Sequence, residues 1–320
     1  MKKLIINSYM FSLLIALAII VLGLQSGNFY LITVLIFAGL NALSALALAL
    51  LMGLAGQISL GQNGFYGLGA YFSAILCLKY NFPPLFSIIT ATASSSLLGF
   101  LLALPAIRLK GHYLAVATLA FGEIIYLLLN EWGPGGPSGF GNIPTLGINF
   151  FGLDYSQSYL ILVWGIWWIS FVIVNNLANS SYGKTLKALH SSEIALRTLG
   201  INVVNLKIKV FIISAFLTAL SGALYAHYVT FLSPANFSVF YSIVILIMVM
   251  LGGMHNLWGS LLGALFLTFL PEVLRPLKDY DVLVYGLVLL LALMFFQKGM
   301  VYPIERGIKL VLNFRDEKYS

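Results

Sequence analysis

Long apolar runs separated by short polar turns dominate the chain, at about 8–25, 29–52, 60–78, 85–106, 112–130, 158–176, 209–231, 239–252, 257–270 and 281–296. Several approach the ~20 residues with which a helix crosses ~30 Å of hydrocarbon. The pattern predicts an all-α, polytopic membrane helix bundle with about ten membrane segments, two of them short or broken. The short pair is 239–252 and 257–270, whose fourteen residues each reach only ~21 Å at ~1.5 Å per residue. One stretch breaks the rule. Ser180 to Lys209 is polar and basic, carrying Lys184, Lys187, Arg197, Lys207 and Lys209 against the single acid Glu193. Leu186, Leu189, Leu196 and Leu199 recur within it at helical spacing up to Gly200, which predicts one or two amphipathic helices. The expected organisation is one domain, 1–320, with a cytoplasmic segment at 177–209, an external loop at 131–157 and a cytoplasmic tail at 297–320.

Composition removes the soluble classes: 60% of residues are apolar and 8% charged, against roughly 25% charged in soluble domains. Cytoplasmic loops retain Lys and Arg during insertion. With the N-terminus inside, fourteen of the seventeen basic residues fall on that side, only Lys79, Arg275 and Lys278 falling outside. Both termini are therefore expected in the cytoplasm of a cell (inner) membrane protein. Topology and anionic lipid headgroups account for the net charge of +7, so nucleic acid is excluded as a partner. Leu22 to Asn28 lacks a small-x-small cleavage site, and the first run reads as a retained helix. Cys77 is the only cysteine, which rules out a disulfide framework or thiolate metal site within the chain.

Two glycine-rich breaks interrupt the runs. Gly53 to Tyr71 sets six glycines among Gln57, Ser59, Gln62 and Asn63; Leu251 to Gly263 holds Gly252, Gly253, His255, Asn256 and Gly259. Irregular backbone at membrane depth is tolerated only when buried in protein or facing water, and interrupted segments point to a transport route. Gln57, Ser59, Gln62, Asn63 and His255 are thus candidate pathway residues, while the glycines serve close helix packing equally well. Glu123, midway along the run from His112 to Asn130, joins them: a charge at helix centre costs roughly 2.5–3.5 kcal/mol on insertion scales and needs a partner or water. Its alternative role is to hold neighbouring helices together. The external Gly133 to Gly139 stretch is a structured loop or a mobile cap.

No catalytic constellation appears. The four histidines lack metal-ligand spacing, and Gly183-Lys184-Thr185 imitates the end of a P-loop whose first glycine is replaced by Ala178 in a membrane-helix context that the motif does not tolerate. The chain is expected to be a transport subunit, not an enzyme, without cofactor or metal; any driving ATPase is a separate protein.

Glu193-Ile194-Ala195-Leu196-Arg197-Thr198-Leu199-Gly200 resembles the coupling loop by which ATP-binding cassette importer permeases contact their ATPases. Ile194 stands where that motif has alanine, and the glycine falls one residue late. Gly53 to Tyr71, Arg108 to Ala115, Thr118 to Glu123, Tyr182-Gly183-Lys184, Ser221 to Ala226, Leu251-Gly252-Gly253 and Pro271 to Arg275 together resemble the high-affinity branched-chain amino acid permease family, in its longer, LivM-type subunits. The resemblance spans roughly 45–300. It implies two ATPase subunits, a second homologous permease, an external solute-binding protein and the lipid bilayer as partners, with Gly183, Glu193, Ala195 and Gly200 shaping the coupling contact. Urea and short-amide permeases share much of the pattern. An ion-coupled secondary transporter, with Glu123 carrying a proton, and a membrane scaffold are the rival readings.

Overall fold

The computed structural model describes residues 2–106, 109, 111–150, 152–275, 281–295 and 299–302. Arg108, Lys110, Lys278 and most of the 297–320 tail lie outside the described residues. The ten apolar runs appear as ten helices: α1 (Lys2–Ser26), α2 (Phe29–Leu48), α3 (Gln62–Tyr80), α4 (Pro84–Ala106), α5 (His112–Trp132), α6 (Tyr155–Asn179), α9 (Val203–Val229), α10 (Val239–Gly252), α11 (Leu257–Leu274) and α12 (Asp281–Phe295). Between α6 and α9 stand two shorter helices, α7 (Ser181–Ser191) and α8 (Glu193–Thr198).

Seven of the described helices are long and apolar enough to cross a membrane, α10 and α12 being shorter at 14 and 15 residues. α11 runs four residues past the expected stop at 270, taking Pro271 into its final turns. Pro271 has no N–H to donate to the Leu267 carbonyl, so the helix loses one ladder bond shortly before it ends.

Local chemistry sets the helix ends. The Asn28 side chain accepts the Tyr30 amide at the start of α2, and Ser180 accepts that of Gly183 at the start of α7, satisfying donors that a helix N-terminus leaves unpaired. α3 stops at Asn81 in the left-handed conformation, φ 54°, with Pro83 and Pro84 following, the usual order at a helix end.

α2 is the axial helix. It is apolar all round and buried along most of its length, as expected of a membrane helix surrounded by others. α9 packs beside it and joins α3 and α4 through close glycine contacts. A Cβ on Gly69 would strike the Ala219 carbonyl, one on Gly222 the Tyr66 carbonyl, and one on Gly99 the Ala215 side chain. α10 and α11 close equally tightly, with Gly252 against the Gly259 backbone and Gly263 against that of Met248. Lipid offers no hydrophobic drive between helices, so such close van der Waals approach has to supply the cohesion.

The connections sort to two ends. At one, the loop after α5 is pinned to the loop after α9: Phe140 and Leu232 exchange backbone hydrogen bonds of 2.9 and 2.8 Å, and the Ile143 amide donates to Thr230 over 3.2 Å. The stretch expected to be a structured loop or a mobile cap is therefore structured, and residues 136–138 within it form a single 3-10 turn. At the other end lie the two glycine-rich breaks and the α7–α8 hairpin.

Candidate functional site

α2 does not end cleanly. The six residues that follow it, Ala49–Leu54, continue as a π-helix, a form common at functional sites. The chain then turns at Gly56, φ +66°, and runs without regular structure to Gln62, where α3 begins deep among the other helices. Gly53 presses against the Met254 carbonyl in the second break. Gly56 presses against His190 of α7, whose Cα lies 3.2 Å from where a Cβ would stand. The His190 ring in turn meets His255 edge to face, centroids 5.4 Å apart. One histidine of the basic segment thus touches both breaks.

The α7–α8 hairpin is built to be rigid and adhesive. Leu186, Leu189 and Leu196 are buried against the bundle. Ser192 caps α8, accepting the Ala195 amide over 3.3 Å. The end of α8 carries both Schellman bonds, Ile201 N–H to Leu196 O at 3.1 Å and Gly200 N–H to Arg197 O at 3.0 Å, with Gly200 left-handed at φ +73°, where glycine alone is unstrained. Gly183 cannot be larger because a Cβ there would strike the Leu177 and Ala178 carbonyls. Glu193 binds Arg197 at 2.6 Å and, across to α9, Lys207 at 2.8 Å. The second pair is mostly buried, 12% and 17% exposed. Outward, Ile194 and Leu199 are each 74% exposed on either side of Ala195. Leu199, expected from its spacing to share the inward face, points away because the chain turns at the helix end.

The polar residues of the first break lie inside the bundle. Gln62 donates to Ser214 (3.3 Å) and accepts from Thr218 (2.6 Å). Asn63 forms a closed set: its amide donates to Ser242 Oγ (2.8 Å), Ser242 donates back to Asn63 Oδ1 (2.8 Å), and Asn63 Nδ2 donates to the Phe237 carbonyl (3.0 Å). The Leu60 amide donates to Thr118 of α5 over 2.9 Å, and Ser59, buried, accepts weakly from Gly61 at 3.5 Å. Gln57 is 5% exposed, and its Nε2 has no hydrogen-bond partner among the described residues. Glu123 lies half-buried on α5, next to Gly122, which packs against Asn63, with no hydrogen bond or ion pair to a described residue.

At the opposite end, His227 forms a buried knot. Its Nδ1–H donates to the Pro144 carbonyl (2.6 Å), while Nε2 faces Ser73 (2.7 Å) and Ser87 (3.3 Å). It ties α9, α3, α4 and the loop after α5 together. Among the described residues no group of three His, Cys, Asp or Glu could hold a metal ion.

The family of branched-chain amino acid transport system permease components matches residues 30–295. The chain belongs to that family. Permease proteins named LivM, of the high-affinity branched-chain amino acid transport systems of Salmonella typhimurium and Escherichia coli, are each 33% identical to it, over 83% of this chain and 68% of theirs. A probable LivM of Methanocaldococcus jannaschii is 27% identical over 67% of this chain and 68% of its own. No solved structure matches. In this permease, sequence reasoning marked His190 and His255 only as departures from the family pattern and Lys207 only as one of five basic residues. Nothing in their spacing announces that the two histidines meet and that Lys207 reaches Glu193.

Proposed function

We propose that the chain is the membrane permease of an ATP-binding cassette importer that moves branched-chain amino acids inward by alternating access. It is a single domain in the cell membrane with both termini in the cytoplasm. Two separate ATPase subunits bind at the α7–α8 hairpin, a second permease completes the pathway, and an external solute-binding protein delivers substrate. The observation that carries this reading is the two-faced hairpin: Ile194 and Leu199 exposed outward, His190 held against both breaks inward. A push on the outer face reaches the breaks through direct contacts, without a long relay.

Gly183, Glu193, Ala195 and Gly200 shape the docking face. Gln57, Ser59, Gln62, Asn63 and His255 belong to the elements that move, and Glu123 on α5 is the remaining pathway candidate. The chain supplies no ATP hydrolysis of its own.

The test is Ile194→Asp combined with Leu199→Asp. Burying each apolar side chain at an interface contributes about 1.5–3 kcal/mol, so the pair should lower ATPase retention and ATP-dependent leucine uptake by at least about tenfold. Chain levels in the membrane should not change. Full uptake with both substitutions would refute the docking face. Uptake displaced by urea or acetamide and not by leucine would move the substrate to the amide class.

A further inference from the structure

α6 and α9 are both long and apolar enough to cross the membrane, yet each leans on α2 and hardly on the other. Between them, at the root of the hairpin, lies an open groove of about 390 Å³ lined by Leu177 of α6, Tyr182 of α7, and Lys209, Ile212 and Ile213 of α9. Its apolar character continues along both helices. Ile173 and Ile169 precede Leu177 on α6 by one and two helical repeats, Phe216 follows Ile212 and Ile213 on α9, and all three are exposed. Such spacings keep side chains on one face of a helix. Because the hairpin joins the end of α6 to the start of α9, the two strips run the same way, from the hairpin toward the hydrocarbon. At the polar end stands one cation. Lys209 lies about two turns into α9, exposed and without an ion pair to a described residue, and a lysine so placed extends its ammonium to the headgroup level. Lys207 is already held by Glu193, and no acidic residue lines the groove.

We infer that this groove is a site for one anionic phospholipid, with its phosphate on the Lys209 ammonium and an acyl chain laid between α6 and α9 along Leu177, Ile213 and Phe216. Basic pockets between membrane helices are the form that anionic headgroups recognise. A zwitterionic lipid would bring its own ammonium to a wall that has no carboxylate to receive it. A further membrane helix, about 10 Å across, packs where small residues let backbones approach, and this wall offers a leucine, two isoleucines and a tyrosine instead. The Tyr182 hydroxyl donates to the Leu206 carbonyl over 3.2 Å, which ties its ring to α9, so an occupant touching that ring braces the root of the hairpin. The site requires α6 and α9 to span the bilayer and is independent of what the permease transports.

The experiment reconstitutes the whole transporter into phosphatidylcholine liposomes with a trace of phosphatidylglycerol carrying a diazirine in one acyl chain, and maps the photolabelled peptides by mass spectrometry. Compared with the same diazirine chain on phosphatidylcholine, label should be enriched about fivefold in peptides containing 169–177 or 209–216, the attraction of one lysine for an anionic headgroup. Unlabelled phosphatidylglycerol should displace it and dissolved glycerol phosphate should not. Peptides containing 89–97 of α4, where Ile89 and Leu97 are also exposed, should show no preference between the two lipids. Lys209→Gln should remove the enrichment, whereas Lys187→Gln, an exposed cation of α7 outside the groove, should keep it. Equal labelling of the groove peptides by the two lipids, the same enrichment at 89–97, displacement by glycerol phosphate, or label at 89–97 with none in the groove, as when another protein covers it, overturns the site without appeal to any variant. Enrichment that survives Lys209→Gln, or that Lys187→Gln removes as well, assigns the effect to diffuse surface charge and also refutes the site.

Discussion

Gly56 and Gly200 are both left-handed, at φ +66° and +73°, yet their surroundings differ. Around Gly200 nothing lies within reach of an added Cβ, whereas at Gly56 that atom would run into the His190 ring. Gly200→Ala should therefore cost only the left-handed strain, about 1–2 kcal/mol. Gly56→Ala adds a collision between the first break and the hairpin and should cost more. His190→Ala in that background should recover part of the difference, because contacting residues are energetically coupled. Thermal denaturation midpoints of the purified variants in detergent check this, and equal losses at the two glycines would contradict the contact.

Glu123 also belongs to the residue scale. It stands within a helix long enough to span the membrane, half-buried and bonded to none of the described residues. In an ATP-driven permease it has no proton to carry, so Glu123→Gln should leave uptake substantially intact and insensitive to a proton gradient. Abolished, gradient-dependent uptake would favour the ion-coupled mechanism.

At the scale of elements, the start of α3 and the start of α10 meet inside the bundle, and Asn63 with Ser242 ties them together. A helix start carries unpaired amides that hydrocarbon cannot satisfy, which is why two irregular stretches can reach this depth only by bonding each other. Asn63→Ala leaves the Phe237 carbonyl and Ser242 without their partner and should destabilise the protein by about 1–3 kcal/mol. Ser242→Ala in addition should cost less than its effect alone, read as a non-additive pair of denaturation midpoints; strict additivity would separate the two residues. The breaks themselves were legible from their glycines. Whether those glycines serve packing was not, because the question turns on which backbone faces each one.

For the whole molecule, the described basic residues cluster at the hairpin end, Lys184, Lys187, Arg197, Lys207 and Lys209, while Lys79 and Arg275 stand at ends of other helices. This distribution supports a cytoplasmic hairpin. Cys77 is buried, so introduced cysteines report alone. Ile194→Cys should react with an impermeant maleimide only in inside-out vesicles, and Phe231→Cys, in the loop after α9, only in right-side-out ones. The reverse pattern would invert the topology.

The runs of apolar residues determined by themselves that the chain is a helical membrane protein, roughly where its apolar helices fall and where one basic segment interrupts them. Hydrocarbon enforces these features locally, through length and through the need to satisfy every backbone amide. The motifs carried the family for the same reason, being local in the chain. Only the tertiary structure decided that His190 bridges the two breaks, that Lys207 reaches Glu193, that Asn63 is closed upon Ser242, and that Leu199 turns outward. Each of these depends on how far a helix is rotated and where it crosses its neighbours, and a pattern read along one chain is blind to both.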